Sequence, residues 1–255
     1  MQLKDKVAIV TGGDTGIGKA IVLAFARDGA SIVIDYYGDS APATALVGEV
    51  ERLGARAVAY SADVSNPRDV EALLAATVDA YGGVDILVNN AGIEQKYPFL
   101  ETSFELFRKV IDINLAGTWL CSQAAAKQMV EQKRGGRIIN ISSVHEDLAM
   151  PTNAPYCASK GGVRMLMRTI ALELAKDAIT VNNVAPGAVD TPMDADLEKD
   201  ASEMATLTGE IPLGRMAKPN EIAGLVVFLA SEAAAYITGS TSFIDGGMLR
   251  QAGSL

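Results

Sequence analysis

Residues 140–162, NISSVHEDLAMPTNAPYCASKGG, hold Ser142, Ser143, the chain's only histidine His145, Tyr156 and Lys160. Two chemistries are open to such a set. A serine activated by a histidine would make a hydrolase, but no G-x-S-x-G turn presents a nucleophile and no HGGG-like segment serves an oxyanion. The other chemistry is proton transfer by Tyr156. A tyrosine ionises near pH 10, and bringing it to about 7 takes roughly 4 kcal/mol of preferential stabilisation of its anion. Lys160 stands four residues on, which on a helix puts its ammonium on the same face. A neighbouring cation is the ordinary cause of such a shift.

These side chains need elements to hold them. The apolar runs VAIV (7–10), SIVID (31–35), ARAVAY (55–60), VDILVN (84–89), GRIINIS (136–142), AITVNNV (178–184) and STSFID (240–245) are short, mostly β-branched, and predict seven strands. Between them lie stretches with helical spacing. In GIGKAIVLAFARDG, Ile17, Ile21, Ala24 and Phe25 repeat on one face and Gly29 sits where a helix stops. Long helices are predicted over 102–131 and over 155–176, the latter with Pro155 in its first turn, where proline is tolerated. Strand alternating with helix implies right-handed crossovers and a parallel sheet buried on both faces, a doubly wound α/β fold. The whole of 1–255 reads as one domain. One polar, acidic excursion, 189–221, is long enough to be a binding lid, expected at about 189–215.

Two turns at the predicted strand ends suit a phosphate-bearing ligand. TGGDTGIGKA follows the first strand, with Gly12, Gly16 and Gly18 at the entry to a helix. Glycine there admits a pyrophosphate close to the backbone, and the helix N-terminus offers N–H groups and partial positive charge. The bland alternative is a tight turn. NNAGIE ends the fourth strand, which flanks the first at the switch point of such a sheet, so Asn89, Asn90 and Gly92 are expected to border the ligand.

Composition narrows the classes. Apolar residues make up 49% and aromatics 5%, so the core is aliphatic. A net charge of -9 without any basic run argues against nucleic acid as a partner. VAIV, before the first glycine turn, is too short for a signal-peptide core or a membrane span, and the chain reads as cytoplasmic. Cys121 and Cys157 read as reduced thiols, and one histidine without a C-x-x-C pair leaves no ligand set for a metal.

The motifs Thr11-Gly-x-x-x-Gly-Ile-Gly18, Asn89-Asn-Ala-Gly92, Asn114, Ser143 with Tyr156 thirteen later, Tyr156-x-x-x-Lys160 and Pro186-Gly187 run in this order along nearly the whole chain. Together they resemble the short-chain dehydrogenase/reductase family in its classical form. The resemblance implies that Tyr156 is the general acid/base, that Lys160 lowers its pKa and holds the nicotinamide ribose, that Ser143 bonds the substrate oxygen, and that Asn114, on the long helix, holds a relay water. Ser142 rivals Ser143; spacing to Tyr156 favours Ser143, and strand alternation is expected to send the two to opposite faces. The implied cofactor contacts are Gly12, Asp14, Thr15, Gly16, Ile17, Gly18, Asp35, Tyr36, Asp63 at the adenine, Val64, Asn90, Ala91, Gly92, Pro186, Gly187, Val189 and Thr191 near the carboxamide, besides Tyr156 and Lys160. The cofactor is expected to be NAD rather than NADP, since IDYYGDS supplies no cation for a 2'-phosphate and the glycine turn carries Asp14 and Thr15. Asp35 comes one residue before the position, Tyr36, that carries the carboxylate in NAD-specific relatives.

SSVHE, NNAGIE and the terminal DGGM…QAG resemble the sugar-oxidising members of that family, the bacterial glucose 1-dehydrogenases. This implies a substrate site of Glu94, Ser143, His145, Tyr156 and Asp194, although those members tend to have asparagine at position 194. Carboxylate and imidazole suit a polyol, whose hydroxyls they can hold; otherwise His145 and Glu146 are a solvated loop. A small-molecule sugar or polyol is therefore the expected partner. A 3-oxoacyl thioester or general ketone reductase is the alternative, and a catalytically silent binding subunit a further one, disfavoured because Asn114, Ser143, Tyr156 and Lys160 are all present. Members of the family are mostly tetramers built on the two long helices and the last strand, so a homotetramer is expected.

Overall fold

The computed structural model describes residues 1–191 and 201–250. Among these, β1 (Val7–Val10), β2 (Ser31–Tyr36), β3 (Arg56–Ser61), β4 (Ile86–Asn89), β5 (Gly136–Ile141), β6 (Ile179–Pro186) and β7 (Thr241–Ile244) form one sheet in the order β3-β2-β1-β4-β5-β6-β7. Every pairing is parallel. The helices are α1 (Gly16–Arg27), α2 (Ala41–Arg52), α3 (Pro67–Tyr81), α4 (Phe104–Ile111), α5 (Gly117–Gln132), α6 (Ala154–Leu174), α7 (Ala201–Gly209) and α8 (Pro219–Ala230). This is the expected doubly wound α/β domain.

The strands read as unbroken apolar runs because each face of the sheet has its own core. Ala8, Val10, Ile32, Ile34, Ile86, Val88, Ile139 and Ile141 pack with residues of α1, α2 and α8. The alternate residues Ile9, Val33, Leu87 and Ile138 pack with α3, α5 and α6. Period-two alternation is therefore present, but between two buried faces. None of the helices among the described residues is long and apolar enough to cross a membrane.

The helix expected over 102–131 is not continuous. Ser103 caps α4 by accepting the Leu106 N–H, and after Ile111 a π-turn, Asp112–Ala116, intervenes before α5. Asn114 sits in the middle of that turn. Part of the expected lid, 192–200, lies outside the described residues. The remainder includes α7 and a return in which Val189 bridges to Ala217.

The order reverses between β1 and β4, since the chain moves from β1 to β2 and β3 on one side and then crosses to β4 on the other. Their carboxyl ends cannot both be covered by one connection, which leaves a crevice there.

Candidate active site

Above that crevice lies an open cleft of about 600 Å³, floored by the glycine turn on one side and walled by the β5–α6 segment on the other. The turn is built by close approach. Gly12 and Gly16 have φ of +55° and +51°, and a Cβ at Gly18 would stand 2.1 Å from the Gly12 carbonyl oxygen. Only glycine permits this packing of helix against turn. No side chain caps the N-terminus of α1, so its first N–H groups stay available to an anion.

Thr11 and Asn90 tie the ends of β1 and β4 together. The Thr11 hydroxyl accepts the N–H groups of Asn90 at 2.9 Å and Ala91 at 3.0 Å. The Asn90 amide donates back to the carbonyls of Thr11 and Gly12 at 3.0 and 2.8 Å. A dinucleotide fits this cradle: the glycines leave the room its pyrophosphate needs, and the uncapped helix faces it. Gly12, Asp14, Thr15, Gly16, Ile17, Asn90, Ala91, Gly92, Pro186, Gly187, Val189 and Thr191 all line the cleft.

Other expected contacts stand elsewhere. Asn89 is buried and turned into the sheet, where its amide donates to Ser122 and Asn140 at 2.9 and 2.8 Å; the expectation that it borders the ligand is corrected by that orientation. Gly18 acts from beneath the turn. Tyr36 ends β2, and Asp63 and Val64 follow the edge strand β3, beyond the cleft lining. Asp63 folds onto Ser65, accepting from its N–H and hydroxyl, and Val64 packs under Gly117. Asp35 is 1% exposed and points beneath the turn, its Oδ2 accepting the Gly12 N–H at 3.3 Å. Burial pushes its carboxyl up to about 8 against the pull of the Gly12 and Ala62 amides, with Asp14 and Asp63 adding repulsion.

Across the cleft, Ser143, His145, Tyr156, Lys160 and Glu94 converge as lining residues. Tyr156 and Lys160 share a face of α6, with the Lys160 Nζ 5.4 Å from the centre of the Tyr156 ring. Lys160 is buried and donates to the Ile141 carbonyl at 2.9 Å. Burial lowers its ammonium to about 8, opposed by the charges of Glu146 and Glu94. The His145 ring stands edge-on to Tyr156 at 6.1 Å, with its Nδ1 on the Leu148 carbonyl at 3.0 Å. Asp194 lies outside the described residues.

Strand alternation ends at Ile141, so it does not separate the two serines, and both border the cleft. Their partners separate them. Ser142 donates its hydroxyl to Glu146 at 2.6 Å, whereas Ser143 accepts the His145 N–H at 3.2 Å and keeps its own hydroxyl hydrogen for a donor role. Asn114 is 1% exposed and braces the site from behind. Its side chain exchanges both bonds with the Ile93 backbone at 2.9 Å and donates to Ser159 at 3.2 Å; the Ser159 hydroxyl in turn donates to the Tyr156 carbonyl at 2.7 Å.

Two buried residues carry more of the site than their sequence context suggested. Asn153 stands at the N-cap position of α6 without capping it; its amide donates to Glu94 at 2.6 Å and fixes that carboxylate. Glu146 is not part of a solvated loop: its side chain is fully buried. For Asn153 the only signal available was an N-cap residue type before Pro155, which pointed to a different use.

The family model described as enoyl-(acyl carrier protein) reductase matches residues 12–249. Among curated relatives, a 3beta-hydroxysteroid dehydrogenase 1 of Eggerthella lenta is 43% identical over 246 residues, 96% of this chain and 94% of that one. A glucose 1-dehydrogenase 2 of Bacillus subtilis is 39% identical over 248 residues, 96% and 95% of the two chains. Among solved structures, a short-chain type dehydrogenase/reductase from Mycobacterium marinum superposes with a TM-score of 0.92 at 38% identity, covering 97% of this chain and 96% of the other.

Proposed function

Because the chain belongs to the short-chain dehydrogenase/reductase family of NAD(P)-dependent oxidoreductases, we propose that it oxidises a CH–OH group of a sugar or polyol, glucose or a related aldose foremost. The observation that carries this reading is the polar end of the cleft, where the Glu94 carboxylate, held by Asn153, and the His145 ring stand beside Tyr156. A carboxylate and an imidazole each satisfy a substrate hydroxyl that an apolar wall would leave unpaired.

The chain's own groups then have separable tasks. Gly12, Gly16 and the start of α1 hold the pyrophosphate, and Asn90 keeps the turn closed beneath it. Bound NAD(P) supplies the hydride acceptor. Ser143 donates to the reacting oxygen, Tyr156 in its anionic form takes the hydroxyl proton, and the Lys160 ammonium stabilises that anion. In the reverse direction Tyr156 returns the proton. NAD is favoured over NADP because the sequence puts no cation in the turn after β2, where Tyr37 is followed by Gly38 and Asp39. A homotetramer is supported by apolar side chains left exposed on the long helices, Trp119, Met165 and Leu172 among them.

A second reading has its own observation. Ile93, Val144, Met150, Leu207 and Met248 also line the cleft, and apolar lining of this kind suits an acyl or other hydrophobic ketone. Initial rates followed at 340 nm with NAD or NADP and a panel of aldoses, polyols, sugar acids and secondary alcohols, and with NADH or NADPH and hydrophobic ketones or acyl thioesters, separate the two. NAD-linked turnover of an aldose supports the proposal. Activity confined to NADPH-linked reduction of hydrophobic ketones or acyl thioesters overturns it.

A further inference from the structure

Glu146 is the most heavily engaged buried acid beside the site. Its side chain is fully buried yet takes hydroxyl bonds from Ser142 at 2.6 Å and Thr241 at 2.7 Å, an amide bond from Asn183 at 3.0 Å, and the Arg164 guanidinium at 3.5 Å. These partners come from the end of β5, from β6, from β7 and from α6. A buried carboxylate costs several kcal/mol unless fully bonded, and this one is.

The bonds also form a chain. Asn89, Asn140 and Asn183 are lateral neighbours on β4, β5 and β6, and their amides join in sequence at 2.8 and 2.9 Å, ending on Glu146. At the near end, residues 141 and 142 serve two masters: the Ile141 carbonyl receives the Lys160 ammonium, and the Ser142 hydroxyl is pinned by Glu146. Ser143 follows directly.

We propose that Glu146 is a positioning residue for this site, a buried carboxylate that pins the turn carrying Ser143 and supplies the counter-charge for the Lys160 ammonium. The acids whose charge reaches Lys160 are Glu146, from the turn after β5, and Glu94, from the loop after β4; Tyr156 faces it from its own helix, and Arg164, one turn further along α6, is paired with Asp147 as well as Glu146. Glu94 is partly exposed and shared with Lys96, whereas the Glu146 side chain is fully buried, where charge is weakly screened. Removing its charge makes the ammonium easier to deprotonate. The assignment rests on the reading of Tyr156 and Lys160 as the proton-transfer pair.

The test reads the lysine itself. In full-length protein with 13Cε-labelled lysine, Lys160, identified by its loss in K160R, is titrated by NMR in wild type, E146Q and E146D, alongside the pH profile of kcat for alcohol oxidation. E146Q is expected to titrate about one pH unit lower, a tenfold weaker hold on the proton, with the alkaline limb of kcat following it down and E146D restoring most of both. If E146Q does not fold, the double variant R164M/D147N decides, since it removes Arg164 together with its other acid partner and leaves Glu146 unmasked; Lys160 is expected to move upward. An unmoved Lys160 titration overturns the inference whatever the rates do. A titration that moves while wild type oxidises no alcohol overturns the functional reading and leaves the counter-charge supported.

Discussion

At the end of β2 the carboxylate of Asp35 is buried with one long bond from the Gly12 N–H, and its Oδ1 has no hydrogen-bond partner among the described residues. At the end of β5 the carboxylate of Glu146 is buried as deeply and holds partners on four sides. The two acids mark two ways of building one cleft. The half over β1 and β2 is shaped by what is missing, glycines whose Cβ atoms would collide, and its one buried acid is poorly served. The half over β4 to β7 is shaped by side chains that satisfy one another across the sheet. Changes in the first half are therefore expected to act through sterics and binding, and changes in the second through unpaired polar groups and proton transfer.

The largest expected effect isolates the second half. Tyr156→Phe should lower kcat by roughly 10³-fold or more, the scale of a lost general base, while cofactor affinity measured by fluorescence stays within a factor of a few. Equal loss of binding and turnover would erase the division. The mirror case is Gly18→Ala, whose Cβ meets the Gly12 carbonyl at 2.1 Å. It should weaken cofactor binding more than tenfold and cost about 1–3 kcal/mol in urea unfolding, as overpacking does. Wild-type affinity in a folded G18A would refute the steric account of the turn.

Asn140→Leu cuts the ladder and strands one N–H of the Asn89 amide, whose other N–H stays on Ser122, and the side-chain carbonyl of Asn183. A loss of roughly 1–3 kcal/mol for each stranded group is expected by chemical denaturation; a neutral result would mean that the amides re-pair locally. The smallest effect on turnover should come from Asp35→Asn, which acts on stability instead. With its carboxyl raised to about 8 in the folded chain against an ordinary 3.8, the folded protein keeps a proton that the unfolded chain releases. Stability from this group is thus present at low pH and declines as pH rises from about 4 to 8. The variant should melt a few degrees above wild type at pH 8.5 and gain nothing near pH 3.5. An identical pH dependence in both proteins would show that Asp35 is ionised at no cost.

Much of this was legible from one sequence. The seven strands are recovered to within one or two residues because the five inner ones are buried on both faces and glycine, asparagine or proline stands near their ends. Tyr156 and Lys160 are readable because helical spacing alone puts them together. What stayed hidden depended on pairings between distant segments. Glu146 looks like a solvated acid until β6 and β7 arrive beside it. Asn153 has the residue type of a helix cap and spends its amide 59 positions away, on Glu94. Asn89 and Asn90 are neighbours of one type, and only the pleat of β4 decides that the first faces the sheet and the second the turn. The break at Asp112–Ala116 was illegible for another reason: a π-turn leaves no glycine or proline to announce it.

That break has a consequence for how this stretch tolerates insertions and deletions. A π-turn holds one residue more than an α-turn, and one residue is about 100° of rotation. Residues on either side are therefore out of phase, so that α5 can keep Cys121, Ala125 and Met129 on the core while Asn114 swings to Ile93. Deleting a single residue between 112 and 116 would heal the helix rather than shorten it, and would rotate Asn114 away from the loop it clasps. In this segment the length of the chain is as much a part of the site as the identity of its residues.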